Sequence, residues 1–324
     1  MIDIKENHIY KLDDELLKIL LKDRSSNKNI IWATDNYKSL GDGYYEFDEI
    51  TIKSITGRNS LIVKPRIEKS QKEQSKRIKD KAEVFTPSWV CNVQNNLVDN
   101  TWFKAENIFN FEEEKNWTTN HKKIVFPKEK TWQDYVNENR LEMSCGEAPY
   151  LCSRYDTVTG KWIEIIDRIG LLDRKLRIIN ENTNGESEWL KWTIRAYETI
   201  YGFEWQGDSL LIARENLLFT FIDYFLDRFT HFPNIEYIKK IAEILSWNIF
   251  QMDGLKFVIP NSCKPVPKMQ MSLFEDYDIS EECPGCKNGD NNMHTGIYTK
   301  IMDWEIKKPI TFISLLNKQK EQKS

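Results

Sequence analysis

The sequence predicts an α/β protein: a mostly parallel sheet carried by residues 82–324, preceded by a mixed α+β region over 1–81 that ends in a basic segment. Two observations carry this. From residue 140 onward, short strand-like runs alternate with longer runs of helical period. The strand, helix, strand succession repeats at the spacing of crossover units, which parallel strands require.

Composition sets the limits. At 324 residues and 38.5 kDa the chain can bury a sizeable core. With 40% hydrophobic residues, 11 Trp, 13 Tyr and 16 Phe it is no disordered chain. A net charge of −4 and a pI near 5.8 exclude a surface that coats nucleic acid everywhere, while leaving room for a local basic face. No stretch reaches the roughly 18 apolar residues of a membrane span, and the opening "MIDIKENHIYKLDDELLKILLK" is too acidic and amphipathic for a signal peptide. A cytoplasmic protein is expected. Six cysteines at this length point to reduced thiols, some available to a metal. There is no internal repeat.

Taken in order, residues 13–22 form a helix on Leu16, Leu17, Ile19, Leu20 and Leu21, and "NIIWATDNY" is a strand entering a turn. "YYEFDEITIKSITGRNSLIV" is a hairpin closed near Gly57. Residues 64–81 hold eight Lys or Arg against three acids. The block is either a solvated helix or linker, or a contact to a phosphate backbone through Lys64, Arg66, Lys76, Arg77 and Lys79. A helix then starts at Thr86-Pro87, with Thr86 as N-cap, and runs through Trp89, Val90, Val93, Leu97 and Val98. Residues 104–139 are treated as an insertion.

The sheet follows. "RLEMS" (140–144) and "IYGFEW" (200–205) are its first two strands; a long helix capped by Asp208 comes next, then the helix "IEYIKKIAEILSW" and the strand "NIFQMD" (248–253). "GIYTKIMDW" and "PITFISLL" make a terminal hairpin.

Ligands of open parallel sheets bind beyond the carboxyl ends of the strands. The turn "LEMSCGEAPYL" lies there: Gly146 permits close backbone approach and the strand-end acid Glu142 can hold a cation or hydroxyl. Glu204 closes the second strand in the position of a ribose-binding carboxylate, and Asp253 closes the third, where it can accept from an exocyclic amine. Each acid alone is more simply a turn former or cap. Together they outline a nucleoside pocket.

These residues carry a resemblance. "EMSCGEAPYL" resembles the first motif, D-P-A-C-G-S-G-A-F-L, of the amino-methylating DNA methyltransferases of restriction–modification systems. "IYGFEWQGDSLLIARENLL" is similar to their second motif, "NIFQMDGL" to their third, and "AEVFTPSWV" to the F-T-P motif upstream. The whole chain resembles more closely the bacterial proteins grouped as restriction endonuclease subunit M. The motifs cover residues 82–92, 141–151, 200–218 and 248–255.

The resemblance implies a Rossmann-like sheet with insertions near 104–139, 153–187 and 260–296. It implies S-adenosylmethionine, with its amino-acid end near Glu142, Cys145 and Gly146, its ribose on Glu204 beside Trp205, and its adenine near Asp253 and Gly254. Phe85, Thr86 and Pro87 would close over it. It further implies DNA, expected double-stranded, as partner, together with a restriction or specificity subunit. Two departures stand out. Ala148, followed by Pro149, replaces the usual second glycine, which would shift the loop. The N-P-P-Y or D-P-P-Y motif, whose Asn or Asp accepts from the target amine and whose aromatic stacks on a flipped base, is missing. Its nearest counterpart is "FVIPNSCKP", with Asn261 as the candidate acceptor.

The same stretch allows another reading. Cys283 and Cys286 in "ECPGCKNGDNNMH", with His294 and Cys263, suffice for a tetrahedral structural zinc; the rival is a Gly- and Asn-rich loop of free thiols. His8, His121 and His231 look ordinary. Three functions follow: a DNA adenine methyltransferase or subunit of one, a non-catalytic subunit that keeps the cofactor pocket, and a zinc-stabilised nucleic-acid module.

Overall fold

A computed structural model describes residues 6–81, 86–268 and 279–321. The chain opens with α1 (Glu6–Leu12) and α2 (Asp14–Leu21), the second capped by Asp13, whose carboxylate accepts from the Glu15 N–H. Leu16, Leu17, Leu20 and Leu21 are fully buried, as their spacing predicts.

The next two expectations fail. "NIIWATDNY" joins no sheet: Ile31 forms one isolated bridge with Glu49, and its N–H and C=O bond instead to the side chain of Gln251, at 2.9 and 2.8 Å. The hairpin near Gly57 is absent, replaced by a short helix α3 (Ile52–Ile55). Thr51 and Ser54 cap each other reciprocally there, which gives the backbone an alternative to a strand ladder.

The basic block yields α4 (Gln71–Lys81). Helix α5 (Ser88–Phe103) starts one residue later than expected, with Pro87 at its N-cap; the capping acceptor is the remote Asp156, 2.7 Å from the Ser88 N–H, rather than Thr86. Residues 104–139 contain the hairpin β1 (Asn110–Glu113) and β2 (Asn116–Thr119) and helix α6 (Trp132–Asn137).

Strand β3 (Arg140–Met143) leads through α7 (Leu171–Asn182) and α8 (Glu186–Glu198) to β4 (Ile200–Glu204), and from there through α9 (Gly207–Phe229) and α10 (Ile235–Asn248) to β5 (Ile249–Gln251). The strands form a parallel sheet in the order β3-β4-β5, with Glu142 opposite Gly202 and Glu204 opposite Gln251. Each crossover holds a pair of helices. Beyond β5 come a two-stranded ribbon, β6 (Val266–Lys268) and β7 (Ile279–Glu281), a short helix α11 (Pro284–Asn288), and an antiparallel hairpin, β8 (Lys300–Asp303) and β9 (Lys308–Thr311). The expected second strand of that hairpin ends early, because Phe312–Glu321 turn into a helix, α12.

One hydrophobic core runs from Leu16 and Trp32 in the N-terminal region to Leu217 on α9 and Leu245 on α10, so residues 6–81 are packed into the same core as the sheet. Two of the three segments expected as insertions are also part of it: Phe109 and Tyr135 from 104–139, Leu172 and Leu176 from 153–187. A smaller cluster of Phe203, Phe250, Met252, Ile301 and Phe312 joins the sheet to the C-terminal hairpin and α12. Among the described residues no helix is long and apolar enough to cross a membrane.

Candidate functional site

A cleft of about 740 Å³ opens where β3 and β4 end. Its walls hold Thr86, Glu142, Cys145, Gly146, Glu204, Trp205 and Asn261, all singled out from sequence and drawn from distant parts of the chain. Parallel pairing of β3 with β4 brings the two acids to one rim.

Both carboxyls are buried and hydrogen-bonded to backbone. Glu142 accepts from the N–H groups of Tyr150 (3.3 Å) and Leu151 (3.1 Å), folding the Gly turn back on its strand. Burial nevertheless pushes its pKa up to about 8, and the nearby Glu204 adds to this against the pull of the two N–H donors. Glu204 accepts from Gly146 N–H (2.9 Å) and Gln206 N–H (3.1 Å), and burial raises its pKa as well. Burial, with both acids close by, holds the Cys145 thiol far above its ordinary value, so it is a protonated packing group against Gly202 rather than a nucleophile.

The cleft concentrates unusual backbone. Ala33, Ser144 and Asn261, all lining it, have φ of 61°, 52° and 59°, the left-handed region that non-glycine residues avoid. Ala148 has φ 64°. The residue that replaces the second glycine of the resembled motif thus adopts a glycine-like conformation. The Ala33 carbonyl accepts from Trp205 Nε1 (3.0 Å) and Asn261 Nδ2 (3.4 Å), which ties three walls to one atom.

Several expected residues lie elsewhere. Asp253 and Gly254 do not line the cleft. The Asp253 carboxylate closes its own turn, accepting from Leu255 N–H (2.9 Å) and Lys256 N–H (3.2 Å), and Gly254 lies so close to the Phe203 ring that a Cβ would come within 2.7 Å of it. Pro87 caps α5 without lining the cleft, and Phe85 lies outside the described residues. Conversely, Ala33, Thr34, Glu46, Tyr150, Gln206 and Ser209 line the cleft and were not anticipated. Thr34 is buried and its hydroxyl has no hydrogen-bond partner among the described residues. The reading of 29–37 as a strand entering a turn concealed it; the left-handed turn at Ala33 leaves no trace in hydrophobic period.

Of the candidate DNA contacts, Arg77 is buried, its guanidinium 2.8 Å from Asp208. Lys69 (3.3 Å) and the Tyr37 hydroxyl (2.7 Å) reach the same carboxylate. Burial works against that charge, but Arg77 and Lys69 hold the Asp208 carboxyl far below the usual range. Asp208 is therefore the anchor of α4 rather than the cap of α9. Lys76 and Lys79 are exposed, while Lys64 and Arg66 are half-buried.

The four candidate metal ligands do converge. Cys263, Cys283, Cys286 and His294 offer ligand atoms that all lie within 4.8 Å of one another, and each sulfur is 3.7 Å from His294 Nδ1. Pro284 starts α11 directly after Cys283, and Gly285 packs so closely on His294 that a Cβ would come within 2.6 Å of its backbone N. The Thr295 N–H lies 3.2 Å from Cys283 Sγ; despite burial, bonds from Thr295, Cys286 and His294 draw that thiol down to about 5. This Cys₃His cluster could hold a metal.

Comparison of the chain with protein-family models, with curated proteins and with solved structures finds no match.

Proposed function

We propose that the cleft binds S-adenosylmethionine on a Rossmann-like half-sheet, and that the chain is a DNA adenine methyltransferase or a subunit of one in a restriction or phage-defence system. The observation that carries this reading is the meeting of Glu142, Cys145, Gly146, Glu204, Trp205 and Asn261 in one cleft beyond the carboxyl ends of parallel strands. Its volume falls in the range of small-molecule sites. The donor set fits the group: Glu204 for ribose hydroxyls, Glu142 for the amino-acid ammonium, and Thr34 with a spare hydroxyl. When bound, the cofactor supplies an electrophilic methyl. The side-chain carbonyl of Asn261 would accept from the target amine and orient it.

Calorimetry with S-adenosylhomocysteine tests the pocket, and methyl transfer to double-stranded DNA tests the activity. Glu204→Ala should weaken binding by at least about ten-fold. A ligand ammonium selects the ionised form of Glu142, whose pKa is near 8. Affinity should therefore climb with pH from 6 to 8, approaching about ten-fold per unit. A flat profile removes Glu142 from the contact; no binding at all rejects the reading.

A second reading, a non-catalytic cofactor-binding partner, is favoured by the residues after Asn261. Ser262, Cys263 and Lys264 supply no stacking aromatic, and Cys263 belongs to the Cys₃His cluster. Tight binding without transfer to any nucleic acid supports that alternative.

For the cluster we propose structural zinc. A tetrahedral ion with Zn–S of about 2.3 Å and Zn–N of about 2.0–2.1 Å separates S from N by about 3.5–3.6 Å. The 3.7 Å spacings fit it.

A further inference from the structure

We infer that the metal cluster is a positioning device for Asn261, and that metal loading controls the shape of the cleft wall. Asn261 is two residues from Cys263. Three of the four ligands come from the short stretch 283–294, and only Cys263 is drawn from the segment that reaches the cleft. Because the fourth ligand of the tetrahedral set is Cys263, a bound metal would tie the Asn261 segment to the 283–294 loop as well as closing that loop.

The surrounding bonds run the same way. Val258 bridges Tyr298, Ile259 N–H donates to Ile297 O (2.8 Å), and Ile297 N–H donates to Ser262 Oγ (3.0 Å). Thr295 Oγ1 accepts from Lys264 N–H (3.0 Å) and donates to Lys264 O (2.6 Å), while the Thr295 N–H is the group that meets Cys283 Sγ. A Cβ at Gly296 would come within 2.6 Å of Ser262 Oγ and 3.1 Å of Cys263 Sγ, so the two segments touch at the ligand itself. On the cleft side, by contrast, the Asn261 side chain has one long hydrogen bond, 3.4 Å to Ala33 O, and its backbone sits at φ 59°. The conformation is held from behind. An uncommon backbone geometry persists when its surroundings over-determine it, and here those surroundings are the ligand two residues on.

The inference rests on the proposed zinc throughout and on the proposed cofactor reading for its methyl-transfer readout; amide exchange reads it independently of the cofactor. The test uses the full chain loaded with zinc, Cys263→Ser, and Asn261→Ala. Cys263→Ser is expected to weaken zinc binding by at least about ten-fold and to speed exchange of the Ile259, Ser262 and Lys264 amides by a similar factor. The α9 amides should stay protected, and methyl transfer to double-stranded DNA should fall about as far as in Asn261→Ala, which keeps its zinc. Cys263→His, which restores a ligand, should recover both. Unchanged exchange at 259–264, equal loss of protection in α9, or a protein that binds no zinc overturns the inference. If S-adenosylhomocysteine fails to bind the zinc-loaded protein, the cofactor reading falls, and exchange alone decides the role of the metal. Should Cys263→Ser not fold, chelator titration of the unaltered chain reads the same amides against the same expectation.

Discussion

Helices α5 and α9 bury opposite kinds of surface. Along α9, apolar and charged residues alike are enclosed from Gly207 to Leu218, with Arg214 and Glu215 fully inside. Along α5 the residues enclosed over its first three turns are Ser88, Cys91, Asn92, Asn95, Asn96 and Asp99, and its last turn buries Trp102 and Phe103, while Leu97 is 63% exposed and Val98 is also exposed. Of its apolar stripe, expected to face the core, Leu97 and Val98 point out and Trp89, Val90 and Val93 are only half-buried. Its polar face is inside because it has partners: Arg174 of α7 is 2.6 Å from Asp99 and donates to the side-chain oxygens of Asn92 and Asn96, and Tyr135 donates to Asp99 at 2.8 Å. Hydrophobic period locates a helix, but a buried cation can decide which face turns in.

That contrast can be broken at its charged centres first. The Arg214 guanidinium donates to the carbonyls of Leu20, Lys22, Ser246 and Ile249, joining the ends of α2 and α10 to β5. Arg214→Met should cost about 4–5 kcal/mol in denaturant unfolding, because several buried acceptors lose their donor at once. Asp99→Ala, which leaves Arg174 enclosed without its counter-charge, should cost about 3 kcal/mol. A loss under about 1 kcal/mol in either would mean the network is incidental. The apolar side sharpens the comparison: Leu217→Ala on α9 should cost about 2–3 kcal/mol, and Leu97→Ala on α5 no more than about 0.5.

A buried carboxyl of α9 adds a pH dependence. Burial pushes Glu215 far above the ordinary carboxyl range, and neither oxygen has a partner among the described residues; burial also lifts Glu6 to about 8. A raised folded pKa means that the native state holds the proton more tightly. The associated stability is full below about pH 4.5 and drains away as pH rises toward 8. Glu215→Gln should therefore change little at pH 5 and add about 1–2 kcal/mol at pH 8. An equal effect at both values would contradict the assignment.

How legible all this was in the sequence varies by kind of information. Strands β3 and β5, and the arrival of Glu142 and Glu204 at one rim, followed from local runs and the crossover rule. So did the four sulfur and imidazole donors, since a Cys-Pro-Gly-Cys turn advertises itself. The N-terminal wall of the cleft did not, because Ala33, Thr34 and Glu46 reach it through tertiary contacts that leave no period. Asp253 was misassigned for the opposite reason: a strand-end acid satisfies its own turn as readily as a ligand. Arg77 and Lys69 counted as surface charge until Asp208 claimed them.

Gln251 bears on how this sheet ends. Its amide pairs with both polar groups of Ile31, as a neighbouring peptide unit would, and also donates to the Trp205 carbonyl at 2.8 Å. A single side chain thus stands in for the missing strand partner of Ile31, while Ile30 and Trp32 bond to Leu21, Ile50 and Asp48, so the sticky Ile-Ile-Trp run is occupied without lengthening the ladder.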